Sequence, residues 1–172
     1  MGVSGSGKST IGRLLAAEIA IPFIDADELH PPSNVAKMAA GDPLTDADRT
    51  PWLTAVGIAL AASPVVVACS ALKLAYRDRL RELAPSLEIV YLKADPDLLA
   101  DRLAERTHEF MPPSLLASQL DVLEIPTEVE SPLILDARMA PHELVAIVRR
   151  QPRGGLTAAS ATLSSTCRAR TR

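Results

Sequence analysis

Residues 2 to 9, Gly2-Val3-Ser4-Gly5-Ser6-Gly7-Lys8-Ser9, fit the pattern G-x-x-x-x-G-K-[ST] of a phosphate-binding loop. Three glycines let successive backbone N–H groups turn inward around an anion, and the helix that follows adds the partial positive charge of its N-terminus. In such a loop Lys8 reaches the β- and γ-phosphates of a nucleotide, and the Ser9 hydroxyl ligates Mg²⁺. A second acidic group, Asp25-Ala26-Asp27 followed by His30, comes just after the short apolar run Pro22-Phe23-Ile24. Carboxylates past the end of a strand in an open parallel sheet stand at the edge where ligands bind. In an extended stretch two residues apart face the same way, so one carboxylate can help hold Mg²⁺ while the other accepts a proton from a substrate hydroxyl.

The elements that must position these groups follow from periodicity. Ile11, Leu14, Leu15 and Ile19 predict an amphipathic helix from about Lys8 to Ala20, ended by Pro22. Ser33 reads as the N-cap of a short helix through Met38, and Thr50-Pro51 as the start of a longer one carrying Trp52, Leu53, Val56 and Leu60. Val65 to Cys69 and Leu87 to Leu92 read as buried parallel strands, Leu133 to Leu135 as the last strand. Helices follow them: a basic one with Tyr76, Arg77, Arg79 and Arg81, one opened by Pro96 with Arg102 and Arg106, one carrying Leu116, Leu120 and Leu123, and a last one from Pro141 to Arg150. Alternating strands and helices predict an α/β fold with a parallel sheet covered on both faces.

Composition narrows the partners. The segment 152–172 carries four of the eighteen basic residues and no acid, leaving 14 basic against 21 acidic side chains in 1–151. A broad nucleic-acid surface is thereby disfavoured, and an anionic substrate must be held by a few placed cations. Residues 1–151 read as one domain and 152–172, without apolar periodicity, as a disordered tail. The uncharged stretch Pro51 to Leu72 is long enough for a bilayer, but Ser63-Pro64 divides it into a helix-length and a strand-length piece, so no membrane span is expected. Two cysteines, Cys69 and Cys167, make no disulfide framework, and with no signal peptide in view the expected location is the cytoplasm.

Absent motifs exclude a GTP switch. The only asparagine, Asn34, precedes Val35, so there is no N-K-x-D, and no D-x-x-G occurs either. Strand Val65 to Cys69 does not end in aspartate, so the metal's carboxylate is sought at Asp25 or Asp27.

Together with the phosphate loop, several segments resemble the gluconokinases. They are Asp25-Ala26-Asp27 with His30-Pro31, Asn34 with Lys37-Met38, Gly41 to Arg49 with Pro51-Trp52-Leu53, and Cys69-Ser70-Ala71-Leu72-Lys73 with Tyr76-Arg77-Asp78. His108, Phe110, Leu115-Leu116, Ser118-Gln119 and Leu123-Glu124 match that family's lid region and the helix after it. The resemblance covers about residues 1 to 150 and implies a P-loop kinase fold like that of shikimate and nucleoside monophosphate kinases, with a lid around 107–113. It implies transfer of the ATP γ-phosphoryl group to the 6-hydroxyl of D-gluconate with Mg²⁺, and a homodimer. By the same resemblance Gly2, Ser4, Gly5, Ser6, Gly7, Lys8, Ser9, Thr10 and Arg102 bind ATP, and Ser9 and Asp25 serve the metal. Lys8, Asp27 and Arg106 are catalytic, and Asp27, His30, Arg49, Lys73, Arg77 and His108 meet the substrate. A shikimate kinase is the nearest alternative, disfavoured because Cys69 to Lys73 stands where that enzyme has a Gly-rich turn. The other alternative is a nucleotide-binding protein without catalysis.

One expectation concerns the start. A phosphate loop follows a buried strand, here central to the sheet, yet only Met1 precedes Gly2, so an apolar strand of about five residues is expected upstream.

Overall fold

The computed structural model describes residues 1–104 and 113–151. Among the described residues, four short parallel strands, β1 (Phe23–Asp25), β2 (Val66–Ala68), β3 (Val90–Lys93) and β4 (Leu133–Asp136), alternate with seven helices. These are α1 (Lys8–Glu18), α2 (Pro32–Ala39), α3 (Asp46–Ala62), α4 (Leu74–Leu83), α5 (Pro96–Ala104), α6 (Pro113–Asp121) and α7 (Pro141–Arg150). The lid expected around 107–113 falls almost wholly outside the described residues, as do Arg106, His108 and the segment 152–172.

The strands form two parallel pairs, β1 with β2 and β3 with β4, in register Phe23 to Val66 and Val90 to Leu133. Residues 1 and 2 bridge the pairs. The Met1 carbonyl accepts from the Leu92 N–H at 3.0 Å and the Met1 ammonium donates to the Val90 carbonyl, while the Gly2 N–H donates to the Ser70 carbonyl at 3.3 Å. The chain entering the phosphate loop thus runs between β2 and β3, the central position expected for the strand before the loop.

Alternation along β2 explains the two layers. Val66 packs with Ile11, Leu15, Leu92, Leu135, Leu144, Val145 and Val148, so α1 and α7 cover one face. Val67 packs with Trp52, Leu53, Val56, Tyr76 and Leu80, so α3 and α4 cover the other. Gly12 lets α1 lie against β1, since a Cβ there would meet the Phe23 ring at 2.6 Å. No helix among the described residues is long and apolar enough to cross a membrane.

Three local expectations are corrected. The long helix starts at Asp46, not at Thr50-Pro51: the Thr45 hydroxyl accepts the Asp48 N–H at 3.2 Å while the Asp48 carboxylate accepts the Thr45 N–H at 2.9 Å, a capping box that outranks the proline signal. Pro51 lies within the helix, where it forgoes one intrahelical bond. Ser33 lies inside α2 with Pro31 at its N-cap, because Pro32 is already fit for the first helical position. Leu14 is exposed rather than core, since α1 ends at Glu18 and turns its buried stripe onto Ile11, Leu15 and Ala16.

Candidate active site

The phosphate loop is shaped by backbone that side chains resist. Gly7, the N-cap of α1, has φ of 94°, and a Cβ on Gly2 would lie 2.9 Å from both the Leu92 carbonyl and the Ser6 hydroxyl. The Ser6 N–H donates to the Val3 carbonyl at 3.2 Å, and Lys8 Nζ donates to the same carbonyl at 3.1 Å, so the lysine folds across the loop. Ser6 Oγ is buried without a hydrogen-bond partner among the described residues. Opposite, Ser4 is gripped from α6: its N–H donates to Gln119 Oε1 at 2.8 Å and its hydroxyl accepts from Gln119 Nε2 at 3.1 Å.

Arg102 on α5 closes the other side. Its Nη1 lies 3.4 Å from the Gly5 and Ser6 carbonyls and its Nη2 donates to the Ala137 carbonyl at 2.7 Å. A cavity of about 210 Å³ lies between Gly5 to Gly7, Thr10, Arg102 and the Ala137 to Pro141 turn. Its place beside the loop suits the nucleoside end of a bound nucleotide.

The end of β1 meets the loop at Ser9, whose hydroxyl donates to Asp25 Oδ2 at 2.6 Å. Asp25 Oδ1 accepts the Asp27 N–H at 3.3 Å and so caps a 3₁₀ turn, Ala26–Leu29. Asp25 and Asp27 therefore do not share a strand face: the extended backbone stops at Asp25, because its carboxylate captures the next turn. Asp27 is exposed at the site's rim. Among the described residues no cluster of three or more metal-binding side chains occurs. The pair Ser9 and Asp25 still fits Mg²⁺, which takes oxygen donors, usually one or two carboxylates completed by phosphates and waters.

A second group of residues stands over α3 and α4. Lys73 Nζ contacts both carboxylate oxygens of Asp46 at 2.8 and 2.9 Å, the Tyr76 hydroxyl donates to Asp46, and Arg49 Nη1 lies 3.8 Å from it. Arg49 also donates to the Leu44 carbonyl at 2.5 Å and covers the Tyr76 ring. The Lys73 hydrogen bond, then that of Tyr76, holds Asp46 below the usual carboxylate range, and the same contact raises Lys73. His30 stacks on Trp52 with ring centres 4.5 Å apart, and Trp52 Nε1 donates to the Ala26 carbonyl at 2.6 Å. Burial lowers the His30 pKa, opposed by Asp27 and aided by Arg49. Asn34, buried, lies 3.3 Å from His30 Nδ1 and donates to the Asp48 carbonyl at 2.8 Å.

Arg77 stands apart from that cluster. Its side chain is 1% exposed and forms a two-bond pair with Glu130, at 2.6 and 3.0 Å, while Nη1 donates to the Ala71 and Leu72 carbonyls at 3.1 and 3.0 Å. Arg81 adds a bond to Glu130 at 3.1 Å. The guanidinium thus fastens the turn that presents Lys73 and does not face the open site. Asp46, Glu130 and Gln119 are the functional-looking residues to which sequence reasoning gave no role. Glu130 carried the Thr127-x-x-Glu130 spacing of a capping box, while Asp46 and Gln119 lie within segments that carry the family resemblance without a role of their own.

Comparison with known proteins gives one answer. The shikimate kinase family profile matches residues 4–137. A gluconokinase of Gluconobacter oxydans is 47% identical over 135 residues, 76% of each chain, and the thermoresistant gluconokinase of Escherichia coli is 42% identical over 140 residues, 78% of this chain and 80% of that one. The crystal structure of a gluconokinase from Sinorhizobium meliloti superposes with a TM-score of 0.79 at 49% identity, covering 85% of both chains. Identity of this extent over three quarters or more of the chain places it in the shikimate kinase family and, within it, among the gluconokinases.

Proposed function

We propose that this protein transfers the γ-phosphoryl group of ATP to the 6-hydroxyl of D-gluconate, giving ADP and 6-phosphogluconate. The observation that carries the substrate class is the grip of Lys73, Tyr76 and Arg49 on one carboxylate, that of Asp46. A site whose cations and phenol already converge on a carboxylate suits a sugar acid, and the gluconate carboxylate would take over those contacts.

The remaining roles follow from placement. Residues Gly2 and Ser4 to Thr10 cradle the nucleotide phosphates, with Lys8 swinging from the Val3 carbonyl to the β- and γ-oxygens. Ser9 and Asp25 would hold Mg²⁺, which supplies charge neutralisation on the phosphates. Asp27 and His30 meet the hydroxyls, Asp27 at the oxygen that attacks. As that oxygen bonds to the γ-phosphorus, the bond to ADP breaks and the hydroxyl proton passes to the Asp27 carboxylate. Arg102, with Arg106, stabilises charge on the transferring group, and His108 contacts the substrate. Arg77 acts on substrate through Lys73, by fixing the turn Ala71 to Lys73. In this reading the partners are small molecules and a second copy of the chain, which light scattering tests.

Coupled ADP release with gluconate, shikimate and nucleoside monophosphates tests the assignment. Turnover is expected with gluconate; turnover with shikimate alone would overturn it.

A further inference from the structure

The contact between Ser4 and Gln119 has a fixed polarity. A backbone N–H can only donate, so the 2.8 Å contact from the Ser4 N–H identifies the facing Gln119 atom as its oxygen, Oε1. The other end of the amide, Nε2, then stands 3.1 Å from the Ser4 hydroxyl. An amide nitrogen donates and does not accept, so the hydroxyl must accept. A hydroxyl carries a single proton. With the amide N–H against one of its lone pairs, that proton is turned away from Gln119, and among the described residues no acceptor takes it.

The surroundings place this hydroxyl at the terminal-phosphate end of the loop. Lys8 Nζ bonds the Val3 carbonyl at 3.1 Å, the oxygen of the same peptide whose N–H Gln119 holds, so the lysine that serves the β- and γ-phosphates starts from the Val3–Ser4 peptide. The cavity suited to the nucleoside is lined by Gly5, Ser6, Gly7 and Thr10 but not by Ser4. Beneath the loop, Val3 shares an apolar cluster with Leu72 and Leu116, so its Ser4 side abuts the turn that presents Lys73. Glu124, just beyond α6, fastens that same turn: its N–H donates to the Leu72 carbonyl at 2.9 Å and its carboxylate accepts the Leu74 N–H. Ser4 is half-buried, open enough for a phosphate oxygen to meet it.

We propose that Gln119 is a positioning residue: by taking the Ser4 N–H and one hydroxyl lone pair, it sets the Ser4 O–H as a donor to the γ-phosphoryl group, a role that rests on ATP being the phosphoryl donor proposed above. Gln119 itself touches no phosphate, and its effect passes through Ser4. The consequence is selectivity between nucleotides, since ATP carries the acceptor for this bond and ADP does not. A hydroxyl donating to a charged phosphate oxygen is worth about tenfold in affinity or more.

Isothermal titration calorimetry with Mg²⁺ and either ADP or the imido analogue of ATP, whose β–γ bridge resists transfer, tests this on the parent, Ser4→Ala, Gln119→Met and the double variant. Ser4→Ala is expected to weaken the analogue about tenfold and ADP less than about twofold. Gln119→Met, which keeps the side chain's length and adds no charge, is expected to weaken the analogue about fivefold with ADP again little changed. In the double variant the loss should match that of Ser4→Ala alone within about twofold, since no hydroxyl is left to orient. Equal weakening of both nucleotides overturns the proposal, because the pair then serves only the shape of the loop. So does an unchanged analogue affinity in Ser4→Ala, and so do losses that multiply in the double variant. No phosphoryl acceptor is present, so these outcomes are independent of whether gluconate is the substrate; a parent that binds neither nucleotide would sink the ATP reading as well.

Discussion

Ser9 and Asp25, 16 residues apart in sequence, are joined by a 2.6 Å hydrogen bond from hydroxyl to carboxylate, so the first turn of α1 and the end of β1 form one oxygen-donor pair. Either partner can be replaced without disturbing a buried apolar contact, which makes the pair a clean test of catalysis.

Ser9→Ala and Asp25→Asn are each expected to lower kcat about 100-fold or more while circular dichroism and Tm stay close to those of the parent. Steady-state kinetics across a Mg²⁺ titration checks this, and the Mg²⁺ concentration giving half-maximal rate should rise in both variants.

Asp46 occupies Lys73, Tyr76 and Arg49, and under the proposed function the gluconate carboxylate would compete with it for them. Since the carboxylate is solvent-exposed, its hold on them is weak, and Asp46→Asn is expected to lower the KM for gluconate about two- to five-fold with kcat little changed. Lys73→Met should do the reverse, raising KM at least about tenfold. Initial rates over a gluconate series decide both.

The Arg77–Glu130 pair, with side chains 1% and 4% exposed, should dominate acid stability. Arg77 lowers the Glu130 pKa to about 2 from an ordinary value near 4.5. Its contribution is therefore full above the ordinary carboxylate range and is lost as pH falls from there through about 2. Glu130→Gln should unfold about 3 kcal/mol more easily at pH 7, by urea denaturation, and should lose less stability than the parent between pH 5 and pH 3.

His30 has the same sign by a different route. Burial beside Trp52 keeps it neutral in the folded protein below its ordinary pKa near 6.5, so the unfolded chain binds the proton first. Stability from this residue is full above that value and declines as pH falls toward the lower folded pKa. In His30→Gln the loss of stability between pH 7 and pH 5, measured by thermal denaturation, should be smaller than in the parent.

Local signals made much of this legible. The glycine spacing of 2 to 9 fixes the loop because few side chains tolerate that backbone, and the continuous apolar run Val65 to Cys69 fixes a strand covered on both faces. The Asp25-Ala26-Asp27 cluster announced the site, although the side chains' arrangement depended on a capping bond that spacing does not encode. Residues whose partners are distant in sequence were not legible. Arg77 reads as a site cation until Glu130, 53 residues on, is seen to claim it, and Asp46 reads as a solvated helix start until Lys73 and Tyr76 fold onto it. Leu14 joins the apolar repeat of α1, yet only packing decides which edge of that stripe is covered.

The chain contains one tryptophan, and its indole lies flat against His30 while bonded to the Ala26 carbonyl beside the Asp25 turn. An excited indole transfers an electron readily to a stacked imidazolium and poorly to neutral imidazole. Its emission therefore reports, without any attached label, the protonation of His30 and any shift of the ring off the indole. The same stack that shapes the rim of the site makes the protein its own optical sensor.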